Sequence, residues 1–201
     1  MTITKRISLG IKDKYPHFIG SWMIETDICD SIVEHFEEHT EKHTQGVMGS
    51  GLNLQKKNRK DIAFSPKDIN LPGNNTFRKY FESLFQCYQD YNKQWPFLEQ
   101  NIERLEIGRF NIGRYQAGQH FQDVHCERSS MGAMHRVFAF MTYLNDVDEG
   151  GSTYFNHYDI DIKPIKGLSL IWPAEWTHAH KGNIIKKGNK YIITGWLDFA
   201  E

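Results

Sequence analysis

The 201-residue sequence has only 3 cysteines and 6 prolines, and its formal net charge is -1 at pH 7. Cys29, Cys87 and Cys126 are odd in number and far apart, which argues against a disulfide framework and fits free thiols in a reducing compartment. Lys and Arg total 24 against 25 Asp and Glu, so no whole-molecule field draws the chain to nucleic acid or to acidic lipid. No apolar run approaches the roughly 18 residues that a membrane helix needs. The first stretch, MTITKRISLGIKDKYPHF, lacks the continuous apolar centre of a secretory leader. These absences imply a soluble, cytoplasmic protein with neither a nucleic-acid nor a membrane partner.

What is abundant is aromatic: 5 Trp, 9 Tyr and 13 Phe supply a core to a chain whose length suits one domain. From about Ser21, Ile28, Cys29, Ile32, Val33 and Phe36 recur at spacings of three and four, the pattern of an amphipathic helix. Residues 45 to 72 are rich in Gly, Lys, Asn and Pro and predict irregular chain with at most one short strand. Asn74 or Asn75 can then cap a second helix, whose apolar stripe is Phe77, Phe81, Leu84, Phe85, Tyr88 and Tyr91 and which stops before Pro96. From about Arg104 the period drops to two. Runs such as EIGRFNIGRY, HFQDVHCE, RVFAFMTYLN, GLSLIWP and KYIITGWLDF alternate with NDVDEGG, PIKG and KKGN turns. The expectation is an α+β domain over residues 1–201. Its 1–103 region is a helical support, and 104–199 form a double-stranded β-helix, a jelly-roll barrel that the N-terminal helices buttress.

The chemistry centres on His125-Cys126-Glu127. In an extended segment an imidazole and a carboxylate two residues apart point the same way, which a 2-His-1-carboxylate facial triad requires if a second His arrives from elsewhere. His180 is the partner preferred to His178, since the two alternate across Ala179 and only one can face inward. Asp123, also two residues from His125, is the alternative to Glu127. His35, His39 and His43 recur at helical spacing, but the Glu of an H-E-x-x-H zinc motif is missing, and they read as a solvated face.

Taken in order, RYQAG, HCE, Arg136, YLNDVDEGGSTYF, PIKG, and His180 followed by Gly188 and Lys190 make the sequence resemble the prolyl 4-hydroxylase family of Fe(II)/2-oxoglutarate dioxygenases over residues 104 to 199. The resemblance implies iron held by His125, Glu127 and His180. It also implies 2-oxoglutarate anchored by Lys190 with help from Tyr115 and Thr153, and O2 as second co-substrate, with ascorbate as a further expectation. Arg136 and Trp196 would contact substrate. Two departures stand out: Glu127 replaces the usual Asp, and one extra residue lies between Tyr115 and His125. The implied reaction is hydroxylation at C4 of a peptidyl proline with release of succinate and CO2, and the partner is then a proline-containing peptide or protein. The alternative is a free amino acid or other small molecule, and a non-catalytic jelly-roll binding module is a third reading. Loops 128 to 135, 146 to 151 and 173 to 179 are candidate lids, with Gly132, Gly150 and Gly151 as their pivots.

Overall fold

The computed structural model describes residues 5–7, 16–48 and 51–200, so part of the N-terminal stretch read above lies outside the described residues. In chain order the elements are β1 (Lys5–Arg6), β2 (Gly20–Met23), α1 (Thr26–Glu38), β3 (Thr44–Gln45), β4 (Lys57–Asn58) and β5 (Lys60–Phe64). Then come α2 (Asn75–Gln94), α3 (Pro96–Asn101), β6 (Leu105–Tyr115), β7 (His120–His125), β8 (Arg136–Tyr143), β9 (Glu149–Gly150) and β10 (Thr153–Phe155). The last are β11 (Ile160–Ile162), β12 (Leu168–Pro173), β13 (His180–Gly182), β14 (Ile185–Lys187) and β15 (Lys190–Phe199), with short 3-10 turns between some of them.

The strands pair antiparallel. An eight-stranded sheet runs β1-β2-β12-β8-β15-β6-β5-β3, a five-stranded sheet runs β11-β10-β13-β7-β4, and β14 pairs with β9. Alternation along β8 explains how one sheet serves two interiors. Phe138 and Phe140 belong to the core under the helices, whereas Ala139, Met141 and Tyr143 belong to the core shared with the smaller sheet. In β15, Ile193 and Leu197 face the helices while Ile192 and Trp196 face the other way. Between the two sheets, on the side away from the helices, lies the cavity described below. This double-sheet jelly-roll layering, with helices on one face, is the expected class.

Two helical readings shift in detail. The first helix begins at Thr26, because Gly20–Met23 is already a strand, paired through Gly20 to Ile171 and Met23 to Leu168 of β12. A backbone with ladder partners on a sheet edge leaves little reason to coil. In α2 the buried face is Phe77, Tyr80, Phe81, Leu84, Cys87 and Tyr91, at helical spacing, and Phe85 is 57% exposed on its flank.

The larger correction is residues 45 to 72, which hold two strands, β4 and β5, and the last residue of β3, not one strand at most. β5 pairs with β6 in the large sheet and β4 pairs with β7 in the small one, so this stretch joins the two sheets at one end. Its period of two is real but is carried by Lys57, Arg59 and Asp61, all buried, with Asn58 and Lys60 between them less so. Charged residues at inward positions hide a strand from hydrophobic patterning. No helix among the described residues is long and apolar enough to cross a membrane.

Candidate active site

His125 ends β7 and His180 begins β13, and the two are direct cross-strand partners with ring centroids 4.5 Å apart. Each imidazole is aimed by the same device. His125 donates its Nδ1–H to the Asp123 carbonyl at 2.8 Å, and His180 donates its own to the His178 carbonyl at 2.9 Å. With Nδ1 protonated by that bond, Nε2 of each ring carries the free lone pair. Burial pushes both histidines below their ordinary value, His180 to about 4, so both are neutral imidazoles at pH 7.

Glu127 lies two residues past His125. Its Oε1 is 3.7 Å from His125 Nε2 and 3.5 Å from His180 Nε2. Its other oxygen, Oε2, accepts from Trp196 Nε1 at 2.7 Å, and its backbone is fixed at both ends: the N–H donates to the Ala174 carbonyl and the carbonyl accepts from Arg136. Burial pushes the Glu127 carboxyl up, but His125, His180, the Trp196 hydrogen bond and Arg136 together hold it below its usual value. The three donor groups lie within 4.8 Å of one another, and among the described residues this is the one cluster of His, Cys, Asp and Glu that could hold a metal ion. Facial ligands about 2.1 Å from one ion sit roughly 3 Å apart, so a small contraction closes the set. Two neutral nitrogens and one anionic oxygen suit a divalent transition metal, iron included.

The side chains of the two alternative residues have other partners. Asp123 turns its carboxylate to Lys56 at 3.1 Å and gives the site only its carbonyl. His178 donates Nε2–H to the His17 carbonyl at 2.9 Å, and it too serves His180 through a carbonyl. His35 and His39 are not a solvated pair: their rings stack, and His35 packs against Phe64 and Phe77.

Opposite the triad, Lys190 lines the same cavity, only 2% exposed. It donates to the Gly151 carbonyl at 2.7 Å and rests 4.5 Å from the centre of the Tyr115 ring. Burial, and then Arg59, bring Lys190 down to about 7. A cation so placed lacks an anion. Thr153 also lines the cavity and accepts a hydrogen bond from Tyr143, a residue the motif reading passed over. The Tyr115 hydroxyl accepts from Arg59 at 2.8 Å. Arg136 and Trp196, expected to contact substrate, stack on one another at 3.6 Å and spend their polar contacts on Glu127; Trp196 still lines the cavity.

The expected pivots behave differently. Gly150 and Gly151 have φ of 81° and 70°, and a Cβ at Gly151 would meet the Ile185 side chain at 2.5 Å. They are close-packing positions that bring the Gly151 carbonyl to Lys190. The loops around 128 and 175 are tied to each other by an Arg128–Glu175 ion pair and by the Arg128 N–H to Ala174 carbonyl bond. Sequence reading also missed Lys57 and Arg59, both buried and both lining the cavity. The signal was there as the alternation Lys57, Arg59, Asp61.

The jelly roll sets a 2-His-1-carboxylate cluster in the same cavity as a buried lysine, and residues 110–198 match the model of the 2OG-Fe(II) oxygenase superfamily. Members of that superfamily use Fe(II), 2-oxoglutarate and O2, and the chain is similar to its prolyl 4-hydroxylase branch. Over 66 residues it is 36% identical to the human procollagen-lysine,2-oxoglutarate 5-dioxygenase 2, a match that spans 31% of this chain and only 9% of that relative. The fold is that of a Pseudomonas putida prolyl-4-hydroxylase, with a TM-score of 0.69 at 14% identity over 92% of this chain and 94% of the other. It is also that of a viral collagen prolyl hydroxylase from Paramecium bursaria Chlorella virus-1 determined with 2-oxoglutarate, with a TM-score of 0.59 at 20% identity over 95% and 100%.

Proposed function

We propose that the chain is an Fe(II)- and 2-oxoglutarate-dependent dioxygenase that hydroxylates an unactivated C–H bond, C4 of a prolyl residue in a peptide or protein, with release of succinate and CO2. The observation that carries the reading is the placement of His125, Glu127, His180 and Lys190 in one cavity between two sheets. When bound, iron and 2-oxoglutarate supply the oxidant, one oxygen atom of O2 ending in succinate and the other in the C–H bond.

The protein's own residues do the rest. His125, Glu127 and His180 would hold the metal through two imidazole nitrogens and a carboxylate oxygen. Lys190 receives the distal carboxylate of the co-substrate in a charge-assisted hydrogen bond, beside Tyr115 and Thr153. Trp196 occupies Glu127 Oε2 and Arg136 its backbone carbonyl, so that Oε1, turned to the imidazoles, is the oxygen that would meet the metal. That brace suits a Glu where the family pattern has Asp, since the longer arm has one more torsion to restrain. Trp172, Phe155 and Phe121 pack around the imidazoles and exclude water from them.

The prolyl substrate is supported by the prolyl hydroxylases whose fold the chain shares and by the ordered motifs. A non-catalytic module gives no reason to bury Lys190 against a metal-binding cluster. The test is incubation of the iron-loaded protein with 2-oxoglutarate and proline-rich peptides. The expected result is succinate together with a mass gain of one oxygen atom in the peptide, both absent in His180→Ala; succinate without peptide product would remove the peptidyl-proline reading and keep the oxygenase. A small-molecule substrate has one specific observation in its favour, the second group of buried cations considered next.

A further inference from the structure

Lys57, on β4, and Arg59, between β4 and β5, line the cavity from outside the span of the family motifs. Their relative exposures are 8% and 4%, and Asp61 behind them is at 6%. Arg59 is well matched: its Nε lies 2.6 Å from Asp61 Oδ1, and it donates to the Tyr115 hydroxyl. Lys57 is not. Its ammonium donates to the Val47 carbonyl at 2.7 Å and reaches Asp61 only at 3.7 Å. It lies 5.1 Å from the centre of the Phe121 ring, and that ring stacks on His125 at 3.8 Å, so Lys57 stands one aromatic ring away from a metal ligand.

Charge balance shows what is missing. With metal and co-substrate in place, the divalent ion and Lys190 are matched by Glu127 and the two carboxylates of 2-oxoglutarate. Lys57 and Arg59 are then left with Asp61 alone, one positive charge in excess at a buried site. Among the described residues lining the cavity, Glu127 is the one carboxylate. An isolated buried charge is costly unless something pairs with it. Burial, then Arg59, already bring Lys57 down to about 8 against the pull of Asp61 and Glu127.

We propose that Lys57, backed by Arg59, is a substrate-recognising cation that receives a carboxylate carried by the molecule to be hydroxylated. The inference rests on the oxygenase reading and narrows its substrate class to one with an anionic group close to the target carbon. The carboxylate has two sources with the same chemistry: the α-carboxylate of a free amino or imino acid, and the C-terminal carboxylate of a short peptide.

The experiment is calorimetry on the Mn(II)-loaded protein, first with 2-oxoglutarate and then, with that bound, with three probes: L-proline, N-acetyl-glycyl-proline as the free acid, and the same peptide as its C-terminal amide. At least one acid should bind, and the amide at least about tenfold more weakly than its acid, as loss of one charge-assisted contact implies. Preference for L-proline over the peptide acid identifies the free acid as the source, and the reverse identifies a peptide end. Lys57→Met should remove the preference for acid while leaving the 2-oxoglutarate affinity within about twofold, and Lys57→Arg should retain it. Lys57→Met leaves Asp61 paired with Arg59, so no buried charge is stranded, and a thermal melt checks that the variant folds.

Equal binding of acid and amide, or binding of none of the three, overturns the proposal. So does a Lys57→Met variant that loses 2-oxoglutarate as strongly as it loses the acid, because Lys57 then belongs to the co-substrate. Failure of the Mn(II) protein to take up 2-oxoglutarate at all would instead remove the oxygenase reading beneath it.

Discussion

At the metal end of the cavity, two imidazoles kept neutral by burial face a single carboxylate, while at the other end Lys190 and Arg59 flank the Tyr115 ring. The first end is negative and the second positive. Neither is balanced by itself, and the ligands that complete them have opposite signs: a divalent cation for one, carboxylates for the other. A dicarboxylate that chelates the metal through one end and reaches Lys190 with the other satisfies both in a single molecule. The two ends also differ in how they are held. Backbone carbonyls two residues before each ring aim the imidazoles, whereas Lys190 and Lys57 donate to carbonyls farther along the chain, at Gly151 and Val47, and Arg59 is held by the Tyr115 and Asp61 side chains.

The comparison can be broken most directly at the metal end. His180→Ala should lower affinity for Fe(II) or Co(II) by more than about 100-fold, beyond the range seen for residues that merely support a ligand. Direct metal titration reads this without any turnover, and near-normal metal binding would mean the cluster is not the site. At the positive end, Lys190→Met should weaken 2-oxoglutarate by at least about 30-fold, the low end of the cost of truncating a buried charge pair, with metal affinity unchanged. Loss of both ligands together would show that the two ends are not separable.

A pH titration tests the same asymmetry more gently. Lys190 sits at about 7 in the protein without co-substrate, and a bound carboxylate must raise it. Above pH 7 binding therefore takes up a proton, and 2-oxoglutarate affinity should fall as pH rises from 7 toward 9, by up to about tenfold per unit. Proton uptake measured in two buffers of different ionisation enthalpy checks the sign; proton release would refute it. The smallest effect belongs to Asp123→Asn, expected to change metal affinity by less than about twofold, since its side chain pairs with exposed Lys56 and only its carbonyl serves His125.

Much of this site could be read in advance because its parts lie close together along the chain or at fixed spacing. His125 and Glu127 are two residues apart, and Lys190 follows His180 by ten. Strand periodicity then fixes which way each points. The same local logic located α2, though not that Phe85 would fall on its exposed flank, because a stripe of aromatics does not say how wide a face the sheet can cover. Arg136 and Trp196 are expected beside a substrate from their place in the motifs; their attachment to Glu127 depends on β8 and β15 lying side by side, with Trp196 opposite Ala139.

The sequence by itself carried the resemblance to the oxygenase family, the order of its motifs and the candidate ligands, since these rest on short-range spacing and the chemistry of His, carboxylate and Lys. Only the tertiary structure decided that Glu127 is clamped by an indole, that His178 and Asp123 contribute carbonyls, and that Lys57, Arg59 and Asp61 form a buried wall of the cavity. The reason is energetic. A buried charge is tolerated only beside partners that satisfy it. The Tyr115 hydroxyl that serves Arg59 comes from 56 positions further along the chain.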